Sequence, residues 1–284
     1  MSPDDFYRWY QHLSPAAYLP DGKLKLLGDI ACRRHVTASA AITRDLPSIE
    51  SAVQAVHDAA QAYIGRARHG GAEMLNREFA SEFVLQAGAF RRVKTGRGSP
   101  VDMEHVLAAG LMCGHLAADP RSSGTSARDF AANCLGVDAV GFVASYFKQR
   151  RLLPAGDDPA NLDCTYWRAK ALAAAGSVGI LWNGSSFRQG DVLLWMAESG
   201  VETRPGGPAA LIQSVLDVES NVVVGPFTEI STGWQLFCRE SRGGVGDDPR
   251  ATEYTLVEPV KGESKHRYWE TTKGERVIVV RPFV

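Results

Sequence analysis

The stretch Gly136-Val137-Asp138-Ala139-Val140-Gly141-Phe142-Val143 places an aspartate directly before an apolar run. Val140, Val143 and Phe147 recur at steps of three and four with Tyr146 beside them, so the spacing predicts a helix that starts near Ala139 and buries one face. The first turn of such a helix presents unpaired N–H groups and the positive end of the helix dipole. A cysteine in that turn would be held as a thiolate and would be a good nucleophile. Alanine carries no reactive group, so the position best suited to nucleophilic chemistry lacks it.

Other residues with chemical potential sit in less suitable surroundings. Asp163-Cys164-Thr165-Tyr166-Trp167 also opens a helical pattern with an Asp-Cys pair, but no Gly-Phe-Val follows it. Cys134 reads as a buried structural thiol. Trp182-Asn183-Gly184-Ser185-Ser186-Phe187 lacks the GxSxG elbow and reads as a hairpin-type turn. Lys94-Thr95-Gly96-Arg97-Gly98-Ser99-Pro100 lacks GxxxxGK[ST] and reads as a break between helices, not a phosphate loop. His266, the sole histidine after Ala139, falls in the hydrophilic segment that begins at Lys261 and reads as solvated. Cysteines at 32, 113, 134, 164 and 238 show no CxxC spacing, and the seven histidines form no HExxH, so neither a zinc site nor a disulfide framework is expected. No metal and no cofactor are expected.

The elements that must position residue 139 follow from a change of pattern along the chain. Before about residue 150 the periodicity is helical. Asp45-Leu46-Pro47-Ser48 offers a helix start, followed by Ile49, Val53, Val56, Ala60, Tyr63 and Ile64, with a decline at Gly65. Further helices are expected over 73–90 and 101–118, with a loop over 119–126. After residue 176 short apolar runs bounded by Gly, Asn, Asp and Pro read as strands: 178–182, 191–195, 210–215, 221–224, 233–240 and 275–281. The order predicts an α+β protein, with a helical region over 1–120 and a second region over 121–284 whose helix packs against an antiparallel sheet of about five or six strands.

Asp138-Ala139-Val140-Gly141-Phe142-Val143, then Gln189-Gly190-Asp191-Val192-Leu193-Leu194-Trp195, then Ala210-Leu211-Ile212, resembles the papain-like NlpC-type cysteine peptidases and amidases. The resemblance covers about residues 126–284 and leaves the first hundred or so unmatched. It implies that Ala139 stands where the family has its nucleophilic cysteine. The family histidine, the general acid and base, falls at Ala209 or at Pro208 depending on the frame, and neither is histidine. Glu240, at the end of the next strand, takes the place of the residue that orients the imidazole. Gly190 and Asp191 match a turn that is structural more than catalytic.

The implied parent activity is hydrolysis of amide bonds, with a peptide or peptidoglycan substrate, or else protease or deamidase action on proteins. Without nucleophile and histidine the chain is expected to be inactive. Two explanations stand side by side: engineered inactivation, or a natural pseudoenzyme that binds a peptide or protein partner. Charge and composition add exclusions. The 31 basic and 32 acidic residues of this 284-residue chain give a net charge of −1, without the basic footprint of a nucleic-acid binder. No run is long and apolar enough for a membrane span, and the acids in Met1-Ser2-Pro3-Asp4-Asp5 do not fit a secretory signal. The expectation is a protein cytoplasmic as synthesised. Delivery as an antibacterial effector by a specialised secretion route, with a cognate inhibitor or a delivery protein as partner, would bring such an amidase to cell wall.

Overall fold

The computed structural model describes residues 1–32, 46–69, 83–119, 121, 124–173, 179–197, 208–224, 227–241, 249–261 and 267–283. The protein is α+β. Seven α-helices occur among the described residues: α1 (Pro3–Gln11), α2 (Leu46–His69), α3 (Ala87–Lys94), α4 (Pro100–Met112), α5 (Ala127–Cys134), α6 (Ala139–Gln149) and α7 (Cys164–Ala173). A short antiparallel pair, β1 (Ala16–Tyr18) and β2 (Leu24–Leu26), was not anticipated from the sequence.

Local chemistry explains where the helices begin. Ser2 and Ser99 each cap a helix with proline at its first position, and Asp5 and Asp102 reach back to complete a capping box. Helix α4 stops at Met112, short of the expected end, because Gly114 takes a positive φ of 71° and turns the chain. Helix α2 runs through Gly65 to His69. The helix expected over 73–90 is α3 in its last part, while 73–82 lie outside the described residues, as does His266.

The second half holds β3 (Ile180–Leu181), β4 (Val192–Trp195), β5 (Ala209–Val224), β6 (Phe227–Glu240), β7 (Arg250–Lys261), β8 (Arg267–Thr271) and β9 (Arg276–Val280). Consecutive antiparallel pairings join β4, β5, β6, β7 and β8, and β9 pairs with both β8 and β4. The sheet therefore closes into a six-stranded barrel, with β3 added along β9. Closure was not foreseen, because β7 and β8 carry no compact apolar run: Thr252, Glu253, Thr255 and Glu270 interrupt them.

Side chains alternate across the barrel wall as strand geometry requires. Leu193, Trp195, Ala210, Ile212, Leu236, Cys238, Tyr254, Leu256, Trp269, Val277 and Val279 fill the interior. Val192, Leu194, Ala209, Leu211, Ile278 and Val280 face outward and join the helices in a second core. That second core runs from Phe6 and Tyr10 through Phe142 and Tyr146 to Val280, so residue 120 separates no two hydrophobic cores.

Candidate functional site

Helix α6 begins as the sequence predicts, at Ala139, with Asp138 as its cap accepting from the Gly141 N–H. The Asp138 N–H donates to the Gly96 carbonyl at 2.8 Å. Its carboxylate also pairs with Arg97, Oδ2 to Nε 2.8 Å. Arg97 in turn donates to the Leu162 carbonyl, while Ser145 Oγ donates to the Arg97 carbonyl at 3.0 Å and the Tyr10 hydroxyl to the Gly98 carbonyl at 2.8 Å. The segment that joins α3 to α4 is thereby laid across the start of α6. Glycine is needed at 141, since a Cβ there would stand 2.3 Å from the Gly96 oxygen and 2.9 Å from the Arg97 Cα. Burial pushes the Asp138 carboxyl up to about 6, against the opposing pull of Arg97.

The other wall is the start of β5. Ala209 is fully buried and belongs to the same core as Ala139, which is 7% exposed. Ser241 Oγ donates to the Val137 carbonyl at 2.5 Å and ties the end of β6 to the residue before the cap. Helix α6 packs against β5 along a seam, and Ala139 and Ala209 are both buried in the core that the two elements share. Pro208, the alternative position, places its carbonyl 3.9 Å from Cys164 Sγ.

Glu240 is the departure. It pairs in register with Ala210, and directly opposite residues of an antiparallel pair share a face, so its side chain points to the barrel interior, away from Ala209 and the seam. There it is fully buried. The Tyr254 hydroxyl donates to both of its oxygens at 2.9 Å, Thr252 Oγ1 donates at 2.9 Å, and Arg250 Nε lies 3.4 Å away. An imidazole at 209 would find Glu240 on the wrong side of the sheet. The next residue, Ser241, faces the seam, and the parity of the strand was the signal that could have found it. Arg97 had no such signal: it lies in a turn far from the motif.

Cys164 opens α7, and Asp163 accepts from the Thr165 and Tyr166 N–H groups at 2.9 and 3.1 Å. A helix start ordinarily lowers a thiol pKa. Burial overrides it and pushes Cys164 up to about 12, with the charges of Asp138 and Asp163 adding to the effect. The thiol is therefore held protonated. Gly190 and Asp191 are structural as expected: Gly190 has a φ of +90°, and Asp191 takes two 2.8 Å contacts from Arg281 and one of 2.7 Å from the Arg188 N–H. His12, His57 and His105 are engaged with Asp29, with Gln54 and Gln61, and with the Gln86 N–H.

Among the described residues no group of three His, Cys, Asp or Glu side chains could hold a metal ion, and no helix is long and apolar enough to cross a membrane. No family model matches the chain, and neither the curated proteins nor the solved structures give a match.

Proposed function

We propose that this chain is a non-hydrolytic relative of the papain-like NlpC-type cysteine amidases, and that it binds a peptide of cell-wall type at the seam between α6 and β5. One observation carries the reading. Helix α6 packs on β5, as a nucleophile helix packs on a histidine-bearing strand in the family resembled, yet positions 139 and 209 hold buried alanines. The dipole end of α6 is occupied by Asp138, itself neutralised by Arg97, so the helix start has no thiolate to stabilise and its cap is structural. Cys164 supplies no replacement nucleophile, because burial keeps it a thiol.

A second reading has one feature in its favour. Ala139 and Ala209 are the residue an experimenter would place at both positions to silence an amidase, and both are buried in the core that α6 shares with β5. On that reading the active parent cleaves peptide bonds of the bacterial cell wall, and its delivery route and cognate inhibitor remain those implied by the resemblance.

The deciding experiment pairs binding with restoration. Titration calorimetry of the chain as it stands with a cell-wall stem peptide tests the seam, with Ala209→Trp as the variant that fills it. In parallel, A139C combined with A209H, and A139C with P208H, are incubated with peptidoglycan and with a thiol-directed amide probe. Binding lost in Ala209→Trp, without turnover in either restored variant, is the result expected. Cleavage by a restored variant would establish the hydrolase reading, and absence of both binding and cleavage would overturn both.

A further inference from the structure

Helix α6 ends in a turn whose backbone is strained. The Leu152 N–H donates to the Phe147 carbonyl at 3.0 Å and the Arg151 N–H to the Lys148 carbonyl at 2.9 Å, the bonding of a Schellman cap. The left-handed position of that cap is usually filled by glycine. Here it is Arg151, with a φ of 58°, one of two non-glycine residues at positive φ among the described residues. A side chain at such a φ costs stability that glycine would not, so the turn carries its arginine against its own backbone preference.

Two further arginines surround this turn. Arg150 is held in place: its Nη1 donates to the Tyr146 hydroxyl at 3.1 Å, and its guanidinium carbon lies 5.6 Å from the centroid of the same ring. It reaches the turn that carries Gly190, where an added Cβ would stand 3.6 Å from Nη1. Arg188 comes two residues before that glycine. Arg150, Arg151 and Arg188 are all exposed, and among the described residues none of them forms an ion pair. The acids nearby are already engaged. Asp191 meets Arg281 with both oxygens, and Asp5, whose charge reaches Tyr146, is bonded to Ser2. Leu152, next in the chain, is 39% exposed.

A helix C-terminus favours cations, which accounts in part for Arg150 and Arg151. It does not account for Arg188, which lies on no α-helix, nor for an arginine where the backbone prefers glycine. We infer that the turn at the end of α6 is a docking site for an acidic segment of a partner protein, its carboxylates paired with Arg150, Arg151 and Arg188 and an apolar side chain set against Leu152. Guanidinium groups take carboxylates through paired hydrogen bonds, and Arg150 is oriented in advance. With a net charge of −1 the chain offers no broad basic footprint for nucleic acid or an anionic membrane, which are held by many such contacts. This surface lies at the opposite end of α6 from Asp138 and does not depend on the reading proposed for the seam.

The probe is a fluorescein-labelled synthetic peptide that repeats two glutamates and a leucine, with a peptide that repeats two lysines and a leucine as control. Fluorescence anisotropy against the full chain should show binding of the glutamate peptide alone. Arg150→Glu combined with Arg188→Glu should weaken it about tenfold or more, whereas Arg121→Glu, on the loop before α5, should leave it unchanged. Arg151→Gly separates binding from folding. It should weaken binding while raising the melting temperature by about 2 °C, because the turn gains the residue its backbone prefers. Failure of the glutamate peptide to bind, equal binding of the lysine peptide, or unchanged binding by the double variant or by Arg151→Gly would overturn the inference, with circular dichroism showing each variant folded. So would tighter binding of a single-stranded oligonucleotide or of phosphatidylglycerol vesicles through the same arginines, which would assign the turn to phosphate.

Discussion

Arg97 and Asp138 form an ion pair of 2.8 Å in which both side chains are only 9% exposed. The pair fastens the turn before α4 to the cap of α6. Charges buried this deeply are costly when separated, even where the pair itself adds little net stability. Arg97→Met should therefore cost about 3–5 kcal/mol in urea unfolding near neutral pH. The loss should shrink in mildly acidic buffer, because the stranded Asp138 carboxylate can then take a proton. A cost that does not vary with pH would show that the pair is not the cause.

The pH dependence of the unsubstituted protein follows from the same carboxyl. Burial raises Asp138 from 3.8 to about 6, so the folded state holds a proton that the unfolded chain has lost. Its contribution to stability is fully present below about pH 4 and is lost as pH rises through about 6. Asp102 acts in the opposite sense. Burial pushes it up, but Arg92 and the Ser99 contacts outweigh that and hold it below 3.8, so its contribution is lost as pH falls through that lower value. Urea midpoints measured across this range should fall between about pH 4 and 6 in the parent, and this fall should vanish in Asp138→Asn.

Two glycine substitutions should have opposite signs. Gly141→Ala drives a methyl group into the backbone of Gly96 and Arg97, which cannot move without loosening Asp138, and should cost about 1–3 kcal/mol or more. Gly65→Ala lies within α2 with nothing inside 4 Å of the new Cβ, and should stabilise by about 0.5–1 kcal/mol. Thermal melts of the two variants beside the parent provide the comparison.

Thiol chemistry should separate Cys164 from Cys113 and Cys134. It is fully buried and held protonated, whereas Cys113 and Cys134 are only partly buried. A chromogenic disulfide reagent at neutral pH should label Cys134 and Cys113 first and leave Cys164 until denaturant is added. Rapid labelling of Cys164 in the native protein, read by peptide mass, would contradict the environment described here.

The start of α6 was legible because cap, glycine and apolar spacing all lie within one short stretch, and the strands β4 and β9 because each is a compact apolar run. The packing of α6 on the sheet was legible from the spacing of Val140, Val143 and Phe147. Glu240 was not, since a single residue of frame decides which side of a sheet a side chain takes, and here Ser241 faces the seam instead. Arg97 was hidden for a different reason. Its partner is remote in sequence, and a turn flanked by glycines gives no sign of what its one long side chain will meet. Barrel closure depends on β7 and β8, whose polar alternation resembles a loop until their cross-strand partners are known.

Helix α1 is pinned at both ends to strands that come late in the chain. Arg239 holds Asp4 from 235 residues away, at 2.9 and 2.7 Å, and Gln11 Nε2 donates to the Pro249 carbonyl at 3.4 Å. Phe6 and Tyr10 between them pack on Phe142 at ring distances of 5.4 and 5.7 Å. During synthesis the aromatic face of α1 can meet Phe142 on α6 well before its end anchors exist, because Arg239 and Pro249 follow 235 and 238 residues behind their partners. Contacts of such long reach slow folding. Helix α1 should accordingly be among the last elements to lock, settling only when the end of β6 is in place against it.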